Sequence, residues 1–181
     1  MTTLEFPSEK FIEDYVYSEA IAGQCPVSGR ICDHVISQVN LGDYGVADVI
    51  KMNFYSNKTV ITVLELKNNP IKAADFAQLA RYMIAVDLII KKYTARIKGS
   101  HEVELFGELA GPIDGESHDI GFLAELIGAN INLFHLSLSM KDGFLSHRMT
   151  TEELKSGRNN HKRVARKIYD CRIECFPWRE E

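Results

Sequence analysis

The stretch Thr59–Pro70, TVITVLELKNNP, decides how this chain is read. Side chains alternate across a β-strand, so Ile61, Val63, Glu65 and Lys67 face one way. That face begins apolar and ends with a carboxylate and an ammonium at the mouth of a loop. Upstream, the strand GVADVIKMNF is followed by the turn residues YSNK, which predicts a hairpin between the two strands. The hairpin would bring Asp48 close to Glu65. Two carboxylates so placed repel each other unless a cation sits between them, and oxygen ligands favour Mg²⁺ or Mn²⁺. The Leu66 carbonyl could add a ligand. Beside such a cation and a phosphate, Lys67 would act on the attacking water. It could orient that water, take its proton if the cation depresses the lysine pKa, or offset charge building on the phosphoryl group. Taken alone, ELK more often marks a solvated ion pair on an edge strand. The neighbouring elements give it more weight.

Upstream of the hairpin, Ser8 caps a helix predicted from Glu9 to about Ala22, with Gly23 as its stop. Ile12, Val16 and Ala20 form its apolar stripe. Glu9 and Glu13 fall on or beside that stripe, an unusual place for carboxylates. DHVISQVNLGDYG reads as a strand ending in a turn, which completes a three-strand meander. Downstream, IKAADFAQLARYMIAVDLIIKKY predicts a long amphipathic helix that buries Phe76, Leu79, Met83 and Val86 or Leu88. HEVELFGELAGP follows as a strand and SHDIGFLAELIGA as a short helix. NINLFHLSLSMKDGFLSHRM is a hairpin turned by Lys-Asp-Gly. A last helix, after the capping box Thr150-x-x-Glu153, is interrupted near Gly157. There is no internal repeat or linker, so residues 1–181 are expected to form one α/β (α+β) domain.

In this order, GVAD and VLELK make the chain resemble the PD-(D/E)XK nuclease superfamily, departing from the family pattern by AD where it has PD. QLARY, Gln78 to Tyr82, is similar to the Q-x-x-x-Y motif of RecB-type nuclease domains and NucS-like endonucleases. Gln78 and Tyr82 are four residues apart, hence on one helical face. The resemblance covers roughly residues 8–90, and extends to 140 if INLFHLSL is the next core strand. It implies a restriction-endonuclease-like core, a central mixed sheet flanked by helices in the order αβββαβ with a C-terminal hairpin and helix. It implies a Mg²⁺-dependent deoxyribonuclease. Asp48, Glu65 and the Leu66 carbonyl would hold the metal, and Glu13 would complete the shell, with Glu9 its rival. Lys67 would act on the water, and Gln78 and Tyr82 would support the site. A homodimer is a further implication. The alternative is a nuclease-fold protein that binds nucleic acid or a protein partner without cutting.

Composition agrees with an ordinary globular domain, at 45% hydrophobic and 25% charged over 181 residues. The net charge of −4 excludes a globally basic nucleic-acid binder. KSGRNNHKRVARK is strongly basic, however, and makes Lys162, Arg163, Arg166 and Lys167 candidate DNA contacts. Lys72 and Arg81 are weaker ones. No apolar run suggests a signal or a membrane span, so a cytoplasmic location is expected. The spacings of Cys25, Cys32, Cys171 and Cys175 match no zinc site. Reduced thiols are the simpler expectation, with an iron–sulfur cluster as the other. Neither a P-loop, G-x-S-x-G nor G-x-G-x-x-G occurs, so no nucleotide cofactor is expected.

Overall fold

The computed structural model describes residues 3–94, 101–114 and 130–150. Two α-helices and seven strands, with a 3-10 turn at Gly42–Tyr44 between the second and third strands, follow in the order β1 (Thr3–Leu4), α1 (Glu9–Ala22), β2 (His34–Asn40), β3 (Val46–Phe54), β4 (Lys58–Leu66), α2 (Ala73–Thr94), β5 (Glu102–Gly111), β6 (Ile131–Ser139) and β7 (Gly143–Arg148). The class is α+β with a mixed sheet. The helix expected over 117–129 and the C-terminal helix lie outside the described residues.

The sheet runs β1-β6-β5-β4-β3-β2, and β7 also pairs with β6. The β2-β3-β4 meander is antiparallel, while β4-β5 and β5-β6 are parallel. Leu138 pairs with both Leu4 and Phe144, so β1 and β7 take opposite edges of β6. β4 is therefore central. Its residues Val63, Leu64, Glu65 and Leu66 are almost wholly removed from water. A parallel neighbour requires a covering helix on the crossover, and α2 supplies it between β4 and β5.

Alternation along the strands divides the interior into two cores. Val63, Ile50 and Leu109 pack with Phe76, Leu79, Tyr82 and Val86 of α2. Leu64, Leu66, Val49 and Ala110 pack with Ile12, Val16 and Ala20 of α1. The sequence left Val86 and Leu88 as alternatives for the buried face of α2. The structure buries Val86 and leaves Leu88 49% exposed. Ser8 caps α1, its hydroxyl accepting from the Phe11 N–H at 3.1 Å, and Gly23 ends the helix at φ 133°. In the 140–142 turn the Asp142 N–H donates to the Ser139 hydroxyl, closing the β6–β7 hairpin.

The second half of the α1-side sheet face carries charge. Lys51 and Glu108 form an ion pair at 3% side-chain exposure each, and the same ammonium donates to Ser28 at 3.0 Å. It lies 3.6 Å from the Cys25 thiol, which ties the 25–30 loop to the sheet. Cys25 and Cys32 are free thiols. Cys171 and Cys175 lie outside the described residues.

Candidate metal and phosphodiester site

The site forms where β3 and β4 stop pairing. The ladder's last matched residues at this end are Val49 and Leu64, and extending the register by one sets Asp48 opposite Glu65. One residue further the Leu66 N–H donates to Asp48 Oδ2 at 2.8 Å, so a carboxylate takes the place of a strand carbonyl. Glu65 is 1% exposed. Its Oε1 accepts from Lys67 Nζ at 2.7 Å, which puts Lys67 on the side of Glu65. Its Oε2 is buried and has no hydrogen-bond partner among the described residues. Buried carboxylate oxygens are nearly always bonded, so an orphan there signals a missing cation or donor.

The first helix delivers both of its candidate carboxylates. Glu9 reaches Lys67 Nζ at 3.4 Å, forming an ion pair. Glu13 is buried and is held by the side-chain amide of Gln38 on β2 and by Lys10 at 3.6 Å. Glu13 is the buried member of the pair, while the Glu9 side chain is 43% exposed. Residues four apart share a helix face, so one lines the Lys67 side and the other the Asp48 side.

Three carboxylates, Glu65, Glu9 and Asp48, thus act on one largely buried ammonium. Burial, with smaller contributions from Glu13 and Glu9, pushes Asp48 up to about 6 against the Leu66 N–H and Lys67. Burial and then the Asp48 charge push Glu65 up to about 8 against its bond to Lys67. Burial would lower Lys67, but its hydrogen bond and charge contact with Glu65, then Glu9 and Asp48, lift it above the ordinary lysine value. Lys67 is therefore a fixed cation in this arrangement. Without a cation in the site, the neighbouring carboxylates hold its proton.

Gly111 admits the Lys67 main chain. A Cβ there would lie 2.9 Å from Lys67 Cβ and 3.0 Å from the Lys67 carbonyl oxygen. Tyr82 sits in the α2 core at 3% exposure. Gln78 donates to its hydroxyl at 2.8 Å, so the two residues pair with each other. Gly45, at φ 108°, makes room for that ring, since a Cβ would come 3.1 Å from Tyr82 Cε1. Lys72 is exposed, and the Arg81 guanidinium lies 5.5 Å from the Tyr82 ring centre. Lys162, Arg163, Arg166 and Lys167 lie outside the described residues.

The residues fit a divalent cation in part. Asp48 and Glu65 offer two adjacent carboxylates, one with an orphaned oxygen. Among the described residues no three His, Cys, Asp or Glu side chains converge on a metal-binding point. Sequence reasoning missed Gln38. Its signal was a polar pair, Ser37-Gln38, between the apolar residues Val35, Ile36 and Val39 of the strand. The chain matches no protein-family model, no curated protein and no solved structure.

Proposed function

We propose that the chain is a metal-dependent nuclease that hydrolyses DNA phosphodiester bonds, with a restriction-endonuclease-like core and an active site at Asp48, Glu65 and Lys67. The observation that carries this reading is the buried, unpartnered Oε2 of Glu65 facing a second carboxylate across the strand pair. Asp48 and Glu65 would hold Mg²⁺ or Mn²⁺, with the Leu66 carbonyl and Glu13 as further ligands. Bound there, the cation would polarise the phosphoryl group and lower the pKa of the attacking water.

The chain's own residues supply the rest. Asp48 and Glu65 hold more protons than ordinary carboxyls, so they must shed them to take the cation, and its binding strengthens as pH rises. Lys67, kept charged by its neighbours, offers a positive group to a phosphate oxygen as charge builds there. Glu9 holds that ammonium from the helix side. Tyr82 would support the site from the α2 core, with Gln78 bonded to its hydroxyl. The basic segment around Lys162, Arg163, Arg166 and Lys167 would grip the DNA backbone, and two copies acting together would cut both strands.

A second reading, a nuclease-fold protein that binds without cutting, rests on one observation. Lys67 is closed between Glu65 and Glu9. Incubation with supercoiled plasmid, linear duplex and single strands, with Mg²⁺ or Mn²⁺, separates the two. The parent should cut, and Asp48→Asn and Glu65→Gln should not. Lys67→Ala should fall by about a hundredfold or more while still binding metal and DNA. DNA binding by the parent with no cleavage in either metal would favour the second reading.

A further inference from the structure

The side-chain alternation of the sheet inverts at a single register position. Val35 packs with the α1 core and Val39 against the α2 core, although an even number of steps separates them. On the partner strand Val49 belongs to the α1 core, while Ala47 and Ile50 both belong to the α2 core. Ser37 pairs with Val49 and Val39 with Ala47, and the ladder skips Gln38 and Asp48 between them, so the residues that change sides bracket that position. Gln38 has φ 50°, the one positive φ of a non-glycine residue among those described. A side chain with a Cβ rarely adopts that conformation, and a residue that does so in mid-strand is held there by its surroundings.

The side chain of Gln38 shows what the crease accomplishes. Gln38 lies on the outermost strand of the meander, yet its amide donates to the Glu13 carboxylate, which is 5% exposed. A regular strand would send successive side chains to alternate faces. The inversion lets Gln38 reach α1 while its cross-strand neighbour Asp48 takes the Leu66 N–H at the open end of the ladder. We propose that Gln38 is a positioning residue of the site, fixing the Glu13 carboxylate beside the Asp48–Glu65 pair through the creased register. The inference deepens the metal-site reading and rests on it.

The test is calorimetric titration of the full chain with Mn²⁺ alone, without DNA, alongside thermal unfolding. Glycine takes φ 50° freely, and asparagine tolerates it with an amide one methylene shorter, so Gln38→Gly and Gln38→Asn keep the crease and lose the reach. Both should unfold no earlier than the parent yet bind Mn²⁺ about tenfold more weakly, the scale for losing a group that orients a metal ligand. In a Glu13→Ala background, Gln38→Gly should change the Mn²⁺ affinity by less than about twofold, because the effect runs through Glu13. Parent-like Mn²⁺ affinity in both Gln38 variants would overturn the proposal and leave the metal reading standing. An equal loss with and without Glu13 would overturn it as well. A parent that binds no Mn²⁺ would overturn the metal reading and the proposal together.

Discussion

Glu65 concentrates the conflict between stability and the proposed function. Its carboxyl is buried, faces Asp48, and has Lys67 on only one of its two oxygens. Both carboxyls are raised, Asp48 to about 6 and Glu65 to about 8, so the folded chain holds protons that the unfolded chain releases near pH 4. The stability that these two protons contribute to the cation-free protein is therefore fully present below about pH 4 and is lost as pH rises through about 6 and then about 8. Glu65→Gln removes one of these charges. Its melting temperature should gain on the parent's as pH climbs from about 6 to about 8.5, and the two should converge at acid pH. Saturating Mg²⁺ should raise the parent's melting temperature most at the alkaline end and the variant's far less. A variant–parent difference that stays flat with pH would show that Glu65 carries no raised proton affinity. The three residues behind this argument were legible in the sequence, because Asp48, Glu65 and Lys67 lie in strands joined by a short, recognisable turn. The full set of charges that raise Lys67 was not, since beside Glu65 it includes Glu9, 58 residues away.

At the scale of elements, local signals sufficed where local physics decides. The cap at Ser8, the stop at Gly23, the meander and the 140–142 turn all follow from turn chemistry and periodicity. Strict alternation fails at Gln38 and Asp48, because a crease arises from cross-strand pairing and packing against α1, which no window of sequence contains. The Lys51–Glu108 pair was invisible for the same reason: 57 residues separate its partners. Its energetics follow from burial. Glu108→Ala leaves an ammonium with 3% side-chain exposure without its carboxylate and should cost about 3–5 kcal/mol in urea unfolding. Replacing both residues together, Lys51→Met with Glu108→Leu, should cost much less, because no buried charge is left alone. If Glu108→Ala and the double replacement proved equally destabilising, the pair's role would be one of packing. Loss of the pair should also loosen the 25–30 loop, since the same ammonium binds Ser28 and touches Cys25. Faster alkylation of Cys25 in Glu108→Ala would record that change.

The whole molecule sets an electrostatic problem that its candidate site makes worse. The chain carries a net charge of −4, and the carboxylates of Glu65, Glu9 and Asp48 crowd around Lys67. A DNA phosphate approaching that cluster is repelled until a cation enters and positive charge elsewhere holds the backbone. The sequence places such charge in one segment, which includes Lys155, Arg158, Lys162, Arg163, Arg166 and Lys167. If that segment is the grip, binding and chemistry should separate cleanly under mutation. Neutralising Lys162, Arg163 and Arg166 together should weaken duplex binding. The slope of log affinity against log salt should flatten by about 0.9 for each phosphate no longer neutralised, up to roughly 2.7 for all three. Turnover at saturating DNA should change little, because these residues position the backbone and take no part in bond breaking. Asp48→Asn should show the reverse, with the salt slope kept and turnover abolished. Titrations of a fluorescent duplex at several salt concentrations, paired with single-turnover cleavage, measure both quantities. An unchanged slope in the triple variant would remove the segment from the interface and shift the DNA grip onto other basic groups, with Lys72 and Arg81 the next to test.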